Sequence, residues 1–226
     1  MRVAVLYSGG KDSNIALYKS YMQGYDVVCL ITLVPCYDDS MLFHYPNASH
    51  TSMQAEAIGL PLIQAIVKGV NDEYYQLKYL LSYAKRVHGI EGFVSGALSS
   101  MYQYSRFNEV ASMLELKHIA PCWGEDQLEH MRELITNKVT AMITSVSAYG
   151  LDMSMLGRII DGSMLEMLNL LSKRYGFNLT FEGGEAETFV LDMPLFKRRI
   201  KIKDYTTYWD GVRGHIEFRS ISLEDK

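Results

Sequence analysis

The chain contains few of the residues that build covalent cross-links or simple metal sites. Among its 226 residues there are three cysteines, Cys29, Cys36 and Cys122, and no C-x-x-C pair. An odd number of cysteines at such wide spacing argues against a disulfide framework, a zinc site and an iron–sulfur cluster. The six histidines also show no H-x-x-x-H or comparable spacing of metal ligands. We therefore expect each cysteine to be a small buried apolar residue rather than a nucleophile.

The chain also lacks long apolar runs and an excess of positive charge. No apolar run approaches the ~20 residues that span a bilayer, so no membrane contact is expected. The first residues enter a predicted strand at once, which leaves no room for a signal peptide and favours a cytoplasmic protein. A net charge of −4 provides no general attraction to nucleic acid, and we expect no stable binding of it. The 48% apolar content is that of an ordinary globular protein of one or two domains.

Strand and helix patterns alternate along the first two-thirds of the chain. The predicted strands include Asp26–Val34, whose unbroken apolar run suggests burial on both faces, and Val139–Val146. The alternation predicts an α/β fold over residues 1–146, with a parallel sheet and helices on both of its faces. Ligands of such sheets bind beyond the carboxyl ends of the strands. From residue 147 a helix is followed by short strands, which predicts a smaller α+β lobe over residues 147–226.

The most informative segment is Ser8-Gly9-Gly10-Lys11-Asp12-Ser13, between a predicted strand and a predicted helix. Two glycines allow a tight turn in which successive N–H groups converge on an anion. The first turn of the helix adds unpaired amides and its dipole, and Lys11 adds a mobile cation. The segment is not a Walker A element, because Val5 stands where that motif has its first glycine. It predicts a phosphate site, with an ordinary strand-to-helix turn as the alternative.

A second polar segment, Glu182-Gly183-Gly184-Glu185-Ala186-Glu187-Thr188, places three carboxylates around two glycines. Close carboxylates raise each other's pKa, so they need a cation or full hydration. The candidate cations are Mg²⁺, an ammonium ion and a positively charged substrate. The alternative is an exposed acidic loop that binds nothing. Because an apolar strand follows the glycines directly, we expect a functional loop.

Two further loops follow predicted strands. After the fourth strand, Gly96 would let a ribose or an α-phosphate approach the backbone, and either Ser99 or Ser100 is expected to cap the next helix. In that helix Arg106 lies one turn after Tyr102, where it would reach a phosphate or a carboxylate, or simply lie on a hydrated face. His44 lies in an aromatic-rich loop after the second strand, where a base or a substrate would fit.

The S-G-G-K-D-S segment resembles the signature of the N-type ATP pyrophosphatases, also called PP-loop ATPases. The resemblance implies a HUP-like Rossmannoid sheet that binds ATP with Mg²⁺ and cleaves it to AMP and pyrophosphate. It implies that Ser8, Gly9, Gly10 and Ser13 contact the pyrophosphate through amides or hydroxyls. It also implies that Lys11 neutralises the phosphate charge and that Asp12 acts near Mg²⁺ or orients the loop.

Further segments narrow the resemblance to one subfamily and cover nearly the whole chain. They are M-x-F-H-x-P-N (41–47), Q-A-E-A-I-G-L-P-L (54–62), S-x-Y-Q-x-x-R (100–106), A-P-C-W-G-x-D (120–126), G-L-D (150–152), L-G-R-x-I-D (156–161) and E-G-G-E-x-E-T-x-V-L-D-x-P-L-F-K (182–197). Together they are similar to diphthine–ammonia ligases in their short archaeal form. That resemblance implies the last step of diphthamide synthesis on translation elongation factor 2, in which the diphthine carboxylate is adenylated and ammonia then displaces AMP.

The resemblance also implies roles for individual residues. The catalytic set would be Lys11, Asp12, Glu185 and Glu187, and Gly96 would join the S-G-G-K-D-S loop in binding ATP. The substrate-binding set would be His44, Tyr102, Gln103, Arg106, Glu182, Gly183, Gly184, Glu185, Glu187 and Thr188. The implied partners are diphthine-modified elongation factor 2 and free ammonium, since the chain has no glutaminase segment. A homo-oligomer is one option that the residues leave open.

The chain departs from the subfamily pattern at three positions. Asn108 stands where a glutamate is expected, Phe181 replaces a glycine before E-G-G-E, and Cys122 replaces an aliphatic residue. Two other functions stay open beside the ligase. One is a tRNA-modifying PP-loop enzyme, which the acidic charge and the lack of a cysteine pair disfavour. The other is a nucleotide-binding or sensing module that hydrolyses nothing.

Overall fold

The computed structural model describes residues 1–35 and 47–226. The chain divides into two compact units, Met1–Gly124 and Glu125–Lys226. Within the described ranges, no helix combines the length and the apolar character that crossing a membrane requires. Cys29 and Cys122 are both fully buried, as expected, and burial raises the pKa of the Cys29 thiol to about 12. Cys36 and His44 lie outside the described residues.

The first unit alternates strands and helices. Its elements are β1 (Arg2–Leu6), α1 (Lys11–Met22), β2 (Asp26–Pro35), a 3₁₀ turn (Asn47–His50), α2 (Thr51–Ile58), β3 (Leu62–Val67), α3 (Val70–His88), β4 (Gly92–Val94), α4 (Met101–Met113) and β5 (Lys117–Ile119). The five strands form one parallel sheet in the order β3-β2-β1-β4-β5. The predicted parallel sheet is therefore confirmed. β5 has only three residues and no apolar run, so the sequence pattern did not indicate it.

Apolar side chains cover both faces of this sheet. Along β1, Ala4 and Leu6 belong to a core cluster with residues of α3 and α4, such as Leu81 and Phe107. Val3 and Val5 are equally buried, and successive side chains of a strand point to opposite faces. Since α1 packs on β1, β2 and β4, the sheet has helices on both sides. Burial on both faces explains the unbroken apolar runs of β1 and β2.

The second unit is built around an antiparallel sheet. Its elements are α5 (Gln127–Thr136), β6 (Thr140–Val146), a 3₁₀ turn (Met153–Met155), α6 (Gly162–Tyr175), β7 (Ala186–Asp192), β8 (Arg198–Trp209) and β9 (Gly214–Asp225). The strand order is β7-β6-β9-β8, and β8 and β9 form a long hairpin. This is the α+β arrangement that the helix-then-strands pattern predicted.

The strand near residues 139–146 lies in a different sheet from the one expected. The sequence pattern assigned it to the parallel sheet, with the boundary between the two parts after residue 146. In the structure β6 pairs antiparallel with β7 and β9, and the compact units divide the chain at Gly124–Glu125. β6 is apolar and mostly buried, like a strand of a parallel sheet. Its own residues therefore do not reveal the direction of its partner strands, which lie 40 or more residues further along the chain.

Candidate functional site

The candidate phosphate loop lies where the parallel sheet changes direction. From β1 the chain builds outward to β2 and β3, and the neighbour of β1 on its other side is β4, followed by β5. Ligands of open α/β sheets bind in the crevice at the carboxyl ends of the two strands that flank such a point. The loop beginning at Ser8 follows β1, and the turn beginning at Ser95 follows β4. Both loops therefore reach the crevice predicted to bind a nucleotide.

Two glycines shape the loop after β1. Gly9 has φ of +82°, a left-handed conformation that glycine adopts readily, and a Cβ there would overlap the side chain of Gln54. Gly10 is the N-cap of α1 and, having no side chain, does not cover the first-turn amides as a Ser or Asp cap would. The amides at the start of α1 and the helix dipole are thus suited to an anion.

Side-chain amides hold the carbonyl groups of both glycines. Asn14 Nδ2 donates to the carbonyl oxygen of Gly10 at 2.9 Å and to that of Gly9 at 3.2 Å. Gln54 Nε2 also donates to the Gly9 carbonyl, at 2.9 Å, and both side chains are fully buried. Because a peptide's C=O and N–H point in opposite directions, holding these carbonyls also sets where the loop amides point. Asn14 and Gln54 therefore keep the loop in one conformation.

A buried tyrosine supports this arrangement from the end of β1. Tyr7 is fully buried, its hydroxyl donates to Asn14 Oδ1 at 2.8 Å, and its carbonyl accepts from Thr32 Oγ1 at 2.5 Å. Burial raises the pKa of Tyr7 far above its ordinary value, so the hydroxyl stays protonated and remains a donor. Sequence reasoning missed all four supporting residues. Asn14 carried a usable signal, because it lies one helical turn after Gly10.

Lys11 and Asp12 form an ion pair at the start of α1. Lys11 Nζ lies 2.8 Å from Asp12 Oδ2, and the Lys11 side chain is only 3% exposed. A buried ammonium group requires a charged or polar partner, which Asp12 supplies here. The Asp12 side chain is 28% exposed, so it is partly accessible to solvent. The pair places a cation and a carboxylate together at the start of α1.

The two serines of the motif are joined through the loop. Ser13 Oγ donates to the Gly10 carbonyl at 3.0 Å, and Ser8 Oγ donates to Ser13 Oγ at 3.3 Å. The amide of Gly10 in turn donates to Ser8 Oγ at 3.4 Å. All six residues of the segment therefore lie close together around the first turn of α1.

Gly96 contacts the phosphate loop directly. A Cβ at this position would lie 2.8 Å from the carbonyl carbon of Asp12 and 2.9 Å from the amide nitrogen of Ser13. Only glycine fits such a contact between two backbones. The sequence predicted that Gly96 admits a ribose or a phosphate. The structure shows an additional reason for the glycine, which is that the turn after β4 packs on the first turn of α1.

The start of α4 carries the other residues predicted on this side of the sheet. Ser100 caps the helix by accepting from the amide of Gln103 at 3.4 Å, which confirms one of the two predicted caps. The Arg106 guanidinium lies 5.2 Å from the ring centre of Tyr74 and 5.7 Å from that of Tyr102, and it donates to Glu109 at 3.2 Å. The carboxylate that Arg106 reaches here thus belongs to its own helix.

In the second unit, Glu185 binds backbone amides of its own loop. Its Oε1 accepts from the amide of Asn178 at 3.0 Å, and its Oε2 accepts from the amide of Gly183 at 2.9 Å. The carbonyl of Gly184 accepts from Ser147 Oγ at 2.5 Å. The Glu185 carboxylate therefore holds the diglycine turn in shape. Both of its oxygens have backbone partners, a role that the sequence did not predict.

The other residues of the acidic loop lie around this turn. Glu187 and Thr188 belong to β7, where they pair with Ser145 and Ile143 of β6. Glu182 precedes the two glycines and is half-buried. Glu182, Glu185, Glu187 and Thr188 thus lie on one loop and the strand that follows it.

Phe181, immediately before this loop, has a left-handed backbone. Its φ is +64°, a conformation that costs a bulky residue on the order of 1–3 kcal/mol. The ring is 4% exposed and lies 6.4 Å from the ring of Phe177. A phenylalanine stands at this position in place of the glycine of the subfamily pattern. A glycine would adopt this left-handed backbone without strain. Burial of the ring offsets the strain.

Comparison with known proteins identifies the family. The Diphthamide synthase N-terminal domain matches residues 1–118, and the Diphthamide synthase C-terminal domain matches residues 126–223. The boundary between these matches falls near the division at Gly124–Glu125. Among solved structures, a predicted subunit of tRNA methyltransferase from Methanocaldococcus jannaschii covers 86% of this chain and 98% of its own, at 15% identity and a TM-score of 0.43. A likeness this weak carries no argument about function.

Several curated proteins are similar to all or nearly all of this chain. Diphthine–ammonia ligase of Homo sapiens is 34% identical over all of this chain and 94% of its own. The enzyme of the same name from Danio rerio is 35% identical over all of this chain and 98% of its own. The one from Schizosaccharomyces pombe is 33% identical, but the match covers only 36% of that longer protein. With both domains matched and identity sustained end to end, this chain belongs to the diphthine–ammonia ligase family.

Proposed function

We propose that this chain catalyses the ATP-dependent amidation of diphthine on translation elongation factor 2. Ammonia is the nitrogen donor, and AMP and pyrophosphate are the other products. The relatives that match from end to end are named diphthine–ammonia ligase, and the proposal extends that activity to this chain. One observation supports the use of ATP. The loop of Gly9 and Gly10 leaves the first-turn amides of α1 without a side-chain cap, next to the buried cation of Lys11.

The loop fits a pyrophosphate group. Asn14 and Gln54 hold its carbonyls, and the amides at the start of α1 have the polarity that phosphate oxygens require. We assign Ser8, Gly9, Gly10, Ser13 and the neighbouring turn at Gly96 to binding ATP. Lys11 would leave Asp12 in part to neutralise the charge that develops as pyrophosphate departs.

Asp12 is the residue that we propose to lie near Mg²⁺. Carboxylates are the usual protein ligands of this ion, which is bound by one or two of them together with substrate phosphates. The Asp12 carboxylate fits such a role, since it lies in the first turn of α1 and its side chain is 28% exposed. Bound Mg²⁺ would add charge stabilisation at the phosphates. Asp12 would then hold the ion while Lys11 faces the phosphate oxygens.

The reaction needs two bond exchanges. A carboxylate is a poor electrophile, so an oxygen of the diphthine carboxylate attacks the α-phosphorus of ATP and pyrophosphate leaves. Ammonia then attacks the carbonyl carbon, AMP leaves, and the nitrogen loses a proton to give the amide. Preorganised donors at the departing phosphates favour the first exchange because they cost no reorganisation during the reaction.

We assign recognition of the acceptor to the acidic loop. Diphthine carries a trimethylammonium group, which carboxylates and aromatic rings attract. Glu182 and Glu187 are the proposed partners of this group, with Gly183, Gly184 and Thr188 shaping the surface. Glu185 positions the loop through its two backbone hydrogen bonds. On the first unit, Tyr102, Gln103 and Arg106 form a second proposed contact for the substrate, with His44 as a third.

The activity is tested with elongation factor 2 that carries diphthine. Together with ATP and ammonium, it should yield AMP and pyrophosphate, and the factor should lose about 1 Da as OH is replaced by NH₂. Factor with an unmodified histidine is the matched control and should yield neither, because it offers no carboxylate. Release of ADP and orthophosphate would contradict the proposal. Stimulation by tRNA instead of the factor would point to the tRNA-modifying alternative.

A further inference from the structure

Three polar side chains of the first unit form a hydrogen-bonded series that the proposed reaction does not use. Ser95 Oγ lies 2.7 Å from His118 Nε2, and His118 Nδ1 lies 2.9 Å from Asn108 Oδ1. Ser95 follows β4 and is 1% exposed, His118 belongs to β5, and Asn108 lies on the exposed side of α4. The series therefore runs from the surface to the carboxyl end of β4, where the nucleotide crevice begins.

The partners of the ring decide its tautomer. The amide oxygen of Asn108 can only accept, so His118 Nδ1 carries the hydrogen. Nε2 of the neutral ring then has a lone pair, which accepts the hydroxyl hydrogen of Ser95. Asn108 thus determines in which direction the Ser95 hydroxyl points.

Aromatic rings hold His118 in place. Its ring stacks on Phe93 at 5.2 Å and 24°, and the rings of Tyr104 and Phe107 lie 5.3 and 5.5 Å away. Burial lowers the pKa of His118 to about 4, so the ring is neutral at ordinary pH. A neutral ring enclosed in this way keeps both of its hydrogen bonds in one geometry.

The end of the series contacts the phosphate loop through one residue. Ser95 precedes Gly96. The peptide group between Asp12 and Ser13 occupies the space that a side chain at Gly96 would need. The amide of Ser95 is itself fixed by the Ile119 carbonyl at 2.9 Å. The Ser95 side chain is thus one residue away from the backbone contact between Gly96 and the start of α1.

We propose that His118 is a positioning residue of the nucleotide site. Oriented by Asn108, it holds the Ser95 hydroxyl, so that Gly96 supports the first turn of α1 in the geometry that binds a nucleoside triphosphate. The proposal rests on the proposed function only in that the loop binds ATP. A histidine that merely joins β5 to α4 would stabilise the fold without affecting the loop. Nucleotide affinity separates the two roles.

The test compares two buried serines of the same unit. Ser95→Ala removes the hydroxyl at the end of the series. Ser20→Ala removes an equally buried hydroxyl, which donates to the Ala16 carbonyl at 2.7 Å in the last half of α1. Calorimetric titration of each full-length chain with Mg-ATP should show at least tenfold weaker binding for Ser95→Ala and a change within twofold for Ser20→Ala. Equal affinities of the two variants would overturn the proposal.

A second measurement reads the loop without nucleotide. In ¹H–¹⁵N spectra the amides of Asp12 and Ser13 should shift in Ser95→Ala and in His118→Phe, but not in Ser20→Ala. Unchanged loop amides in both site variants would also overturn the proposal. Wild-type chain that bound ATP but formed no amide would refute only the proposed function, since the comparison of the two serine variants would still decide the role of His118. Wild-type chain that failed to bind ATP would refute both.

Discussion

The side-chain nitrogen of Asn14 lies 2.9 Å from the carbonyl oxygen of Gly10, one helical turn before it. The same side chain accepts the hydroxyl hydrogen of Tyr7 through its oxygen. One buried amide thus joins the end of β1 to both glycines of the phosphate loop. Asn14 therefore connects the core of the sheet with the conformation of the candidate phosphate loop.

Replacing Asn14 should uncouple the loop from the core. Asn14→Ala leaves two glycine carbonyls and the Tyr7 hydroxyl with fewer partners, so we expect a loss of about 2–4 kcal/mol in the free energy of unfolding. ATP affinity should fall at least tenfold, measured by calorimetry. Tyr7→Phe removes only the donor to Asn14 Oδ1 and should cost about 1 kcal/mol with little change in affinity. A similar loss of affinity in both variants would contradict the role given to Asn14.

Removing Lys11 should affect turnover more than binding. Lys11→Ala eliminates the cation that we expect to face the departing pyrophosphate, so kcat for AMP formation should fall by at least 10²-fold while the Kd for ATP rises less. Lys19→Ala, in the last turn of the same helix, is the control and should leave both values unchanged. Undiminished AMP formation in Lys11→Ala would mean that the loop is only a turn.

Two glutamates of the acidic loop should behave differently. In Glu185→Gln the side-chain NH₂ would face one of the two backbone N–H donors, which would lose its acceptor. The loop should therefore loosen, and the free energy of unfolding should fall by about 1–3 kcal/mol. Glu187→Gln should leave stability unchanged and, like Glu185→Gln, spare ATP binding but abolish amide formation. Denaturant unfolding and mass spectrometry of the elongation factor measure the two effects. Full amidation by Glu187→Gln would remove the acidic loop from acceptor recognition.

A surface lysine with a left-handed backbone offers a test of stability alone. Lys138 has φ of +54° just after the end of α5, and its side chain is exposed. Lys138→Gly should raise the free energy of unfolding by about 0.5–1 kcal/mol, because glycine adopts this conformation without strain. Lys173→Gly, inside α6, should lower it by about 1 kcal/mol. If thermal denaturation showed destabilisation in both, the φ of Lys138 would not be strained.

His118 should make stability depend on pH. Its folded-state pKa is lowered to about 4, whereas an unfolded histidine titrates near 6.5. Between these values the unfolded chain binds the extra proton, so the contribution of His118 is complete above pH 6.5 and falls as the pH drops towards 4. The slope should not exceed about 1.4 kcal/mol per pH unit. Urea unfolding over this range should show a shallower slope for His118→Phe, and an identical slope would contradict the assignment.

Local sequence was enough to predict the strand–loop–helix unit around S-G-G-K-D-S and most of the parallel sheet. The S-G-G-K-D-S segment is informative because a tight glycine turn and a helix start are determined by residues adjacent in the chain. Strands such as β2 can also be predicted from local sequence, since a strand that is buried on both faces needs an unbroken apolar run. The family resemblance came from short segments of this local kind.

Contacts between distant residues determined the rest. The antiparallel pairing of β6 depends on strands that follow it by 40 or more residues, and the Gln54 amide reaches Gly9 across 45 residues of sequence. Glu185 shows that local sequence can also be insufficient within one loop. Its carboxylate suggested a cation as the partner, whereas in the structure both carboxylate oxygens accept hydrogen bonds from backbone amides. Residue type thus determined which chemistry each segment can support. Tertiary structure decided which partner each polar group has, because hydrogen bonds depend on distance and direction in space and not on separation along the chain.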